Sequence, residues 1–166
     1  CPILVRGNTN LGDMNQVSGT LMGVSVVLPI LNEERDLRES VSAILAQKYS
    51  GAFEVILALG PSSDRTNEIA KEIAAADSRV VLVDNPTGRT ANGLNAAIAK
   101  SRFPIVSRID GHAEISPTYL TDATALLNKT GAVNVGGIMA AVGKTKLEKA
   151  VATAMRSPLG VGSSRF

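Results

Sequence analysis

The chain has 166 residues and a formal net charge of +2, with 45% hydrophobic, 19% charged and 3% aromatic residues. This length suits one compact domain, and the scattered lysines and arginines, with so few aromatic rings, exclude a nucleic-acid-binding footprint. The single cysteine, Cys1, excludes an internal disulfide and a cysteine-based zinc cluster, and no apolar run approaches the ~20 residues of a membrane helix.

The two ends of the sequence indicate a piece of a longer protein. The chain starts at Cys1 without an initiator methionine or the pattern of a signal peptide, and it stops abruptly at Phe166. Residues 1–20 contain Gly, Asn, Thr and Asp without periodicity, and we expect them to form a loose leader. Residues 21–166 are predicted to form one domain.

From residue 24 onward, apolar runs alternate with segments of helical periodicity. The first run is β-branched and ends at Pro29, as buried parallel strands do, and Asn32, Glu33 and Glu34 then supply a capping residue and an acidic first turn for a helix. Asp64 is predicted to cap the second helix. In chain order the predicted elements are strand 24–29, a helix from 32, strand 53–59, helix 64–76, strand 79–84, helix 90–100, strand 104–110, a helix from 116, strand 132–137 and helix 144–156.

This strict alternation predicts an α/β fold, with a mostly parallel, Rossmann-like sheet that is covered by helices on both faces. Ligands of such sheets bind beyond the carboxyl ends of the strands, where the strand order reverses. The segments to examine are therefore 29–34, 59–64, 84–89 and 110–114.

The segment after the first strand limits the nucleotide chemistry. Dinucleotide folds and P-loops need glycines there so that the backbone can approach phosphate, but this chain has Pro29-Ile30-Leu31-Asn32-Glu33-Glu34. NAD, FAD or ATP bound in the usual ways is therefore not expected. An acidic loop would repel a bare diphosphate, and a divalent cation would bridge the two.

Asp110-Gly111-His112, after the fourth predicted strand, has the composition of such a cation site. Asp110 supplies a hard oxygen, His112 supplies a nitrogen, and Gly111 leaves room for a ligand to approach the backbone. The alternative is that Asp110 caps the following turn and that His112 is simply exposed. The position at a strand end favours the metal site.

Three motifs in order carry a family resemblance. Residues 26–34, V-V-L-P-I-L-N-E-E, resemble the "VVxPxxNEE" opening of family 2 inverting glycosyltransferases, and S-S-D-R-T at 62–66 is similar to their "GSSDGT" turn. Residues 108–112, R-I-D-G-H, resemble the D-x-D region in the D-G-H form of the succinoglycan-biosynthesis branch. Segments 134–137 and 157–162 are also similar to that branch, so that the resemblance covers about 24–166.

The resemblance implies a GT-A fold that is truncated on its C-terminal side, with 21–166 as the nucleotide-sugar-binding half. It implies a hexosyltransferase-like enzyme that transfers a sugar, with inversion, from a nucleoside-diphosphate donor to a polysaccharide or lipid-linked acceptor. The enzyme would work in the cytoplasm at the inner face of a membrane, with any membrane association through the missing C-terminal part. The catalytic base is expected beyond Phe166, and the fragment alone is expected to be inactive.

Two other functions remain open at this point. A non-catalytic nucleotide-binding module would need no base. A nucleotidyltransferase would use a related sheet and a metal, although its first loop is usually rich in glycine and basic, which this one is not.

The resemblance also implies roles for the first loop. Pro29, Leu31 and Glu33 would line the pocket for the nucleotide base and ribose. For Glu33 and Glu34 the alternative is a favourable negative charge in the first turn of a helix, and that alternative is sufficient for Glu34.

The remaining donor contacts come from the later strand ends. By the resemblance, Asp110 and His112 would hold Mg²⁺ or Mn²⁺ on the donor diphosphate, with Gly111 between them. Arg89 would reach a phosphate or the sugar, or else it is a solvated loop cation. Gly60 lies near the position where many family members have an acidic residue that contacts the base, so the donor pocket includes Gly60 but uridine specificity is not implied.

Overall fold

The computed structural model describes residues 2–5, 22–111 and 113–136, which contain six strands and four helices. The strands are β1 (Pro2–Val5), β2 (Val24–Ile30), β3 (Phe53–Leu59), β4 (Val80–Asp84), β5 (Ile105–Arg108) and β6 (Asn134–Gly136). The helices are α1 (Leu37–Leu45), α2 (Thr66–Ala76), α3 (Thr90–Lys100) and α4 (Tyr119–Thr130). The chain divides into two units, Cys1–Val135 and Gly136–Phe166, and every site feature described below belongs to the first.

The strands form one sheet in the order β4-β3-β2-β5-β1-β6. β2 pairs in parallel with both β3 and β5, β3 pairs in parallel with β4, and β1 is antiparallel to β5. The chain therefore builds outward from β2 to β4 and then returns to the other side of β2 for β5. The strand order reverses between β2 and β5, which is where a ligand of such a sheet is expected.

The helices cover both faces of the sheet, because successive strand residues point to opposite sides. On one face, Val26 and Leu28 of β2 belong to the same buried cluster as residues of α1, α2 and α4. On the other face, Val27 of β2 packs in a second cluster with Ala97 of α3. The predicted α/β architecture is confirmed. No helix in the described part of the chain is long and apolar enough to span a membrane.

Several predicted boundaries agree with the structure, including strand 53–59, helix 90–100 and the end of α2 at Ala76. The loose leader is wrong for Pro2–Val5, which forms β1. Ile3 is fully buried and is paired with Ser107 of β5, so this strand depends on a distant partner rather than on local periodicity. Residues 6–21, helix 144–156, segment 157–162 and the last residue of strand 132–137 lie outside the described residues.

The predicted start of the first helix is also wrong. α1 begins at Leu37 rather than at Asn32, and Asn32 has a positive φ of 56°. The backbone N–H groups of Asn32, Glu33 and Glu34 donate to side chains after β3 instead of opening a helix. Likewise, α4 begins at Tyr119, after a turn that contains Pro117.

At the amino end of the sheet, the buried carboxylate of Glu54 binds the segment that connects α3 to β5. The Glu54 side chain is 1% exposed, and its Oε1 accepts hydrogen bonds from Ser25 Oγ at 2.7 Å and the Arg102 backbone N–H at 2.8 Å. Its Oε2 accepts one from Arg102 Nε at 2.6 Å. Burial by itself would raise the pKa of Glu54, but the hydrogen bonds from Arg102 and Ser25 outweigh it, and the pKa is lowered.

Replacing Glu54 with glutamine should therefore change the pH dependence of folding. A carboxyl with a lowered pKa stabilises the fold above its unfolded-state pKa of about 4.3, and this contribution is lost as the pH falls through the folded-state value. We expect Glu54→Gln to lower the free energy of unfolding by about 1–3 kcal/mol at pH 7, because buried partners lose an acceptor. The difference from the parent should shrink below about pH 4. Urea unfolding at pH 7, 5 and 3.5 would measure this.

The exposed Glu39 offers the matched control, since Glu39→Gln changes the same charge on the surface of α1. Parent and Glu54→Gln curves that run parallel across the whole pH range would contradict the assignment.

Candidate functional site

An open cleft of about 240 Å³ lies at the carboxyl ends of β2 and β4. Three of the lining residues are those predicted for the base and ribose pocket. Three others, Ile30, Asn85 and Gly88, lie in the predicted segments 29–34 and 84–89 without an assigned role, and Thr90 was not predicted. The cleft is lined by Pro29, Ile30, Leu31, Glu33, Asn85, Gly88 and Thr90.

The apolar wall of the cleft comes from the end of β2. Pro29 is half-buried, and α3 approaches it closely, because a Cβ built on Gly93 would lie 3.2 Å from Pro29 Cβ. Leu31 is 40% exposed, so part of its side chain is accessible from the cleft. An apolar wall that is open to solvent on one side suits a flat ring with polar edges.

The turn after β4 supplies further lining of the cleft and is built on Asn85, which is 3% exposed. Its backbone N–H donates to the Leu59 carbonyl at 2.8 Å, its Nδ2 donates to the Arg89 carbonyl at 3.2 Å, and its Oδ1 accepts from Thr87 Oγ1 at 3.0 Å. Gly88 closes the turn with a φ of 65°. These bonds fix the turn residues beside the cleft. The Asn-Pro-Thr-Gly sequence is a turn signal that identifies this loop, but it does not show that Asn85 faces the cleft.

Arg89 lies on the surface directly before α3. Its backbone is held by Asn85 and by Thr87 Oγ1, which accepts the Arg89 N–H at 3.3 Å. Its side chain forms no ion pair with another residue in the described part of the chain. A phosphate contact and a solvated loop cation both remain compatible with this position.

Gly60 is buried beneath Leu31 rather than in the lining of the cleft. Its N–H donates to the Ile30 carbonyl at 2.9 Å, and its carbonyl accepts from Asn67 Nδ2 at 3.0 Å. A Cβ at this position would lie 2.9 Å from Leu31 Cδ1 and 3.0 Å from the Ile30 carbonyl oxygen. The glycine allows the ends of β2 and β3 to approach, and its predicted contact with the donor stays a prediction.

Asp110 follows β5 and is half-exposed, with 42% of its side-chain surface accessible. Arg108 donates to Asp110 Oδ1 through Nη2 at 2.9 Å and through Nε at 3.1 Å. The backbone carbonyl of Asp110 accepts the Ala113 N–H at 2.9 Å and so closes the following turn. His112, the second predicted metal ligand, lies outside the described residues.

Gly111 brings this turn against the first loop. A Cβ on Gly111 would lie 3.2 Å from Glu33 Cγ and 3.4 Å from Glu33 Cδ, so the two segments meet across the gap between β2 and β5. The structure thus brings the Asp110-Gly111 turn next to Glu33, as the switch-point argument predicts. Within residues 2–5, 22–111 and 113–136, no group of three or more metal-ligating side chains is present.

The loop after β2, residues 31–36 (loop 1), is hydrogen-bonded to the loop after β3, residues 60–65 (loop 2). The N–H of Asn32 donates to Ser62 Oγ at 3.1 Å, and Asn32 Oδ1 accepts the Ser63 N–H at 2.9 Å. The Glu33 N–H donates to Thr66 Oγ1 at 2.7 Å. The N-E-E and S-S-D-R-T motifs are therefore structural partners of each other.

The acidic residues of these loops complete the contact. Asp64 Oδ1 accepts the Thr66 N–H at 3.0 Å from one residue before Arg65, the N-cap of α2, so Asp64 binds the first helical N–H although it is not itself the cap residue. Asp64 Oδ2 accepts the Glu34 N–H at 3.2 Å. Hydrogen bonding by the Thr66 hydroxyl and then by backbone N–H groups lowers the pKa of Asp64. Glu34 Oε2 accepts the Arg65 N–H at 3.0 Å. The Glu34 charge thus lies at the start of α2, not in the first turn of α1.

Similar solved structures show that this is the GT-A fold of glycosyltransferases. The crystal structure of S. aureus TarS 1-349 in complex with UDP has a TM-score of 0.59 and 22% identity, and the match covers 66% of this chain and 33% of that one. The structure of glucosyl-3-phosphoglycerate synthase from Mycobacterium tuberculosis in complex with UDP has a TM-score of 0.52 and 22% identity, over 95% of this chain and 58% of that one.

The chain belongs to glycosyl transferase family 2, whose family model matches residues 25–161. The succinoglycan biosynthesis protein ExoA of Rhizobium meliloti (strain 1021) is 32% identical over 142 residues, which are 84% of this chain and 43% of ExoA. The putative glycosyltransferase EpsE of Bacillus subtilis (strain 168) is 39% identical over 108 residues, 64% of this chain and 38% of EpsE. The family resemblance seen in the motifs is confirmed, and the chain spans less than half the length of these relatives.

The close contact at Gly60 predicts that a single methyl group will disturb the floor of the cleft. Gly60→Ala places a Cβ 3.0 Å from a backbone oxygen of β2, which cannot move without shifting the strand end. We expect the free energy of unfolding to fall by about 1–3 kcal/mol, as for other overpacked positions. Chemical denaturation of parent and variant would measure the change. Gly136→Ala is the control, because a Cβ there meets no atom within 4 Å, and equal effects of the two substitutions would refute the packing argument.

Proposed function

We propose that this chain is the donor-binding part of an inverting glycosyltransferase, which transfers a sugar from a nucleoside-diphosphate sugar to a saccharide or lipid-linked acceptor. One observation carries the proposal. Pro29, Leu31 and Glu33, which the motif assigns to the base and ribose, line one cleft at the carboxyl ends of the strands. The TarS and synthase structures, which are complexes with UDP, support a nucleotide donor for the same fold.

In this proposal, different residues of the cleft contact different parts of the nucleotide-sugar donor. The base lies against the apolar side chains of Pro29 and Leu31, and the Glu33 carboxylate accepts a hydrogen bond from a ribose hydroxyl. Gly88 has the positive φ that the turn beside the cleft requires, and a Cβ there would lie 3.2 Å from Pro61 Cδ and 3.6 Å from Leu31 Cδ2. Arg89, on the surface at the start of α3, is placed to attract the charged end of the donor.

The side chains predicted to bind a metal suit a hard divalent cation. Of the two, Asp110 is described by the structure and His112 is not. Mg²⁺ is typically held by one or two carboxylates together with substrate phosphates, and Asp110 is a half-exposed carboxylate whose turn packs on Glu33. Asp110 and His112 would hold Mg²⁺ or Mn²⁺, which when bound neutralises charge on the departing nucleoside diphosphate. Arg108 already places a positive charge on Asp110 and holds that carboxylate in one orientation.

We assign the catalytic base and the acceptor site to residues beyond this sequence. The relatives, more than twice as long as the segments matched here, support a further acceptor-side region. The name of ExoA supports a saccharide acceptor and polysaccharide biosynthesis. On that basis we propose that the longer protein works at the cytoplasmic face of a membrane and that the present chain alone binds donor without turnover.

Calorimetric titration with UDP and with GDP, in the presence and absence of Mn²⁺, tests the proposal. We expect a nucleoside diphosphate to bind more tightly with Mn²⁺, and Asp110→Ala to weaken that binding about tenfold, or ~1.4 kcal/mol. Asp122→Ala, which removes an exposed carboxylate from α4, should leave binding unchanged.

The possible failures separate the parts of the proposal. If neither UDP nor GDP binds under any condition, the donor site is wrong. If binding ignores both Mn²⁺ and Asp110→Ala, the nucleotide site stands without metal assistance, which would favour a nucleotide-binding module.

A further inference from the structure

The backbone of Glu33 is held by a threonine that lies outside the cleft. Thr66 is the first residue of α2, directly after loop 2, is fully buried, and accepts the Glu33 N–H at 2.7 Å, a shorter distance than the 2.9 Å between the Ser63 N–H and Asn32 Oδ1. Thr66 is in turn fixed by Asp64, whose carboxylate accepts the Thr66 N–H. The buried Thr66 thus fixes the backbone position of Glu33, which lines the cleft.

The residue before Glu33 supplies the second constraint. Asn32 has a φ of 56°, in the left-handed region that asparagine tolerates better than most residues. Its Oδ1 accepts the Ser63 N–H at 2.9 Å and the Ser63 hydroxyl at 3.3 Å, so the side chain holds the unusual backbone in place. The chain turns at Asn32 between Leu31 and Glu33, and both of these neighbours line the cleft.

We infer that Thr66 and Asn32 are positioning residues for nucleotide binding. Neither lines the cleft, and both fix the backbone on which Leu31 and Glu33 stand. This inference rests on the proposed donor site and adds to it the residues that preorganise the site.

The expected change in the Kd depends on the fraction of molecules in which loop 1 has the conformation that binds nucleotide. When a protein adopts its binding-competent conformation for only a fraction of the time, the apparent Kd rises by the inverse of that fraction. If loss of the Thr66 acceptor leaves loop 1 competent in about one molecule in five, the Kd for UDP rises about fivefold. A residue that only supports the fold would lower the melting temperature without this change.

The experiment measures UDP affinity in the presence of Mn²⁺, together with the melting temperature, for matched variants of the full chain. Thr66→Val keeps the shape but removes the acceptor for the Glu33 N–H, and we expect the Kd to rise about fivefold. Thr66→Ser keeps the hydroxyl and should restore the parent affinity to within about twofold.

Thr124→Val is the control, because Thr124 is also buried and its hydroxyl donates to a backbone carbonyl, that of Leu120 at 2.7 Å, in α4. It should lower the melting temperature while leaving the Kd unchanged. A Thr66→Val protein that binds UDP as tightly as the parent, or a Thr124→Val protein that loses affinity equally, would overturn the inference.

Asn32 provides a second route if Thr66→Val does not fold. Asn32→Gly tolerates the positive φ but loses the bonds to Ser63, so we expect weaker UDP binding with little change in the melting temperature. Asn32→Ala, which also disfavours the left-handed backbone, should bind more weakly still. Parent affinity in both variants would refute the positioning role, whereas a parent chain that binds neither UDP nor GDP would refute the proposed donor site instead; if the parent binds only GDP, the same variants are compared with GDP.

Discussion

The loops that shape the cleft start from strands that are paired in parallel and in register. The pairing of β2 with β3 runs from Val24↔Phe53 to Ile30↔Leu59, so both strands end at the same level of the sheet. Loop 1 and loop 2 therefore begin side by side, and polar groups that an isolated loop would leave to water bind each other instead. The geometry of the cleft depends on this pairing, because the hydrogen bond that holds the Glu33 backbone comes from Thr66, directly after loop 2.

The two ends of the sheet use polar residues in opposite ways. At the amino end, Glu54 is almost completely buried and its oxygens are occupied by Ser25 and Arg102, so its charge stabilises the connection to β5. At the carboxyl end, Glu33 is only half-buried and Asp110 is half-exposed, so these carboxylates remain within reach of a ligand. Burial alone does not identify the structural carboxylates, because the exposed Glu34 accepts the Arg65 N–H and so connects the two loops.

The secondary-structure elements that were predicted best are those defined by a local pattern of apolar residues. The apolar run at 53–59 and the helix at 90–100 carry their own signals, and both match the structure. β1 was missed because Pro2–Val5 is a strand of only four residues that is defined by its partner β5, about 100 residues away in the sequence. Asn85 was missed for a related reason. Its segment was identified as a strand end, but only the folded turn shows its side chain buried beneath the cleft.

In the motif that resembles the family, residues that line the cleft alternate with residues that bind the neighbouring loop. In loop 1, Leu31 and Glu33 line the cleft, whereas Asn32 and Glu34 bind loop 2. A match to the N-E-E motif therefore indicates the loop scaffold as strongly as it indicates a ligand contact. Because enzymes with different donors can share that scaffold, the choice of nucleotide must depend on residues outside it. The turn after β4, which contributes Asn85 and Gly88 to the lining of the cleft, is a described segment that lies outside that scaffold.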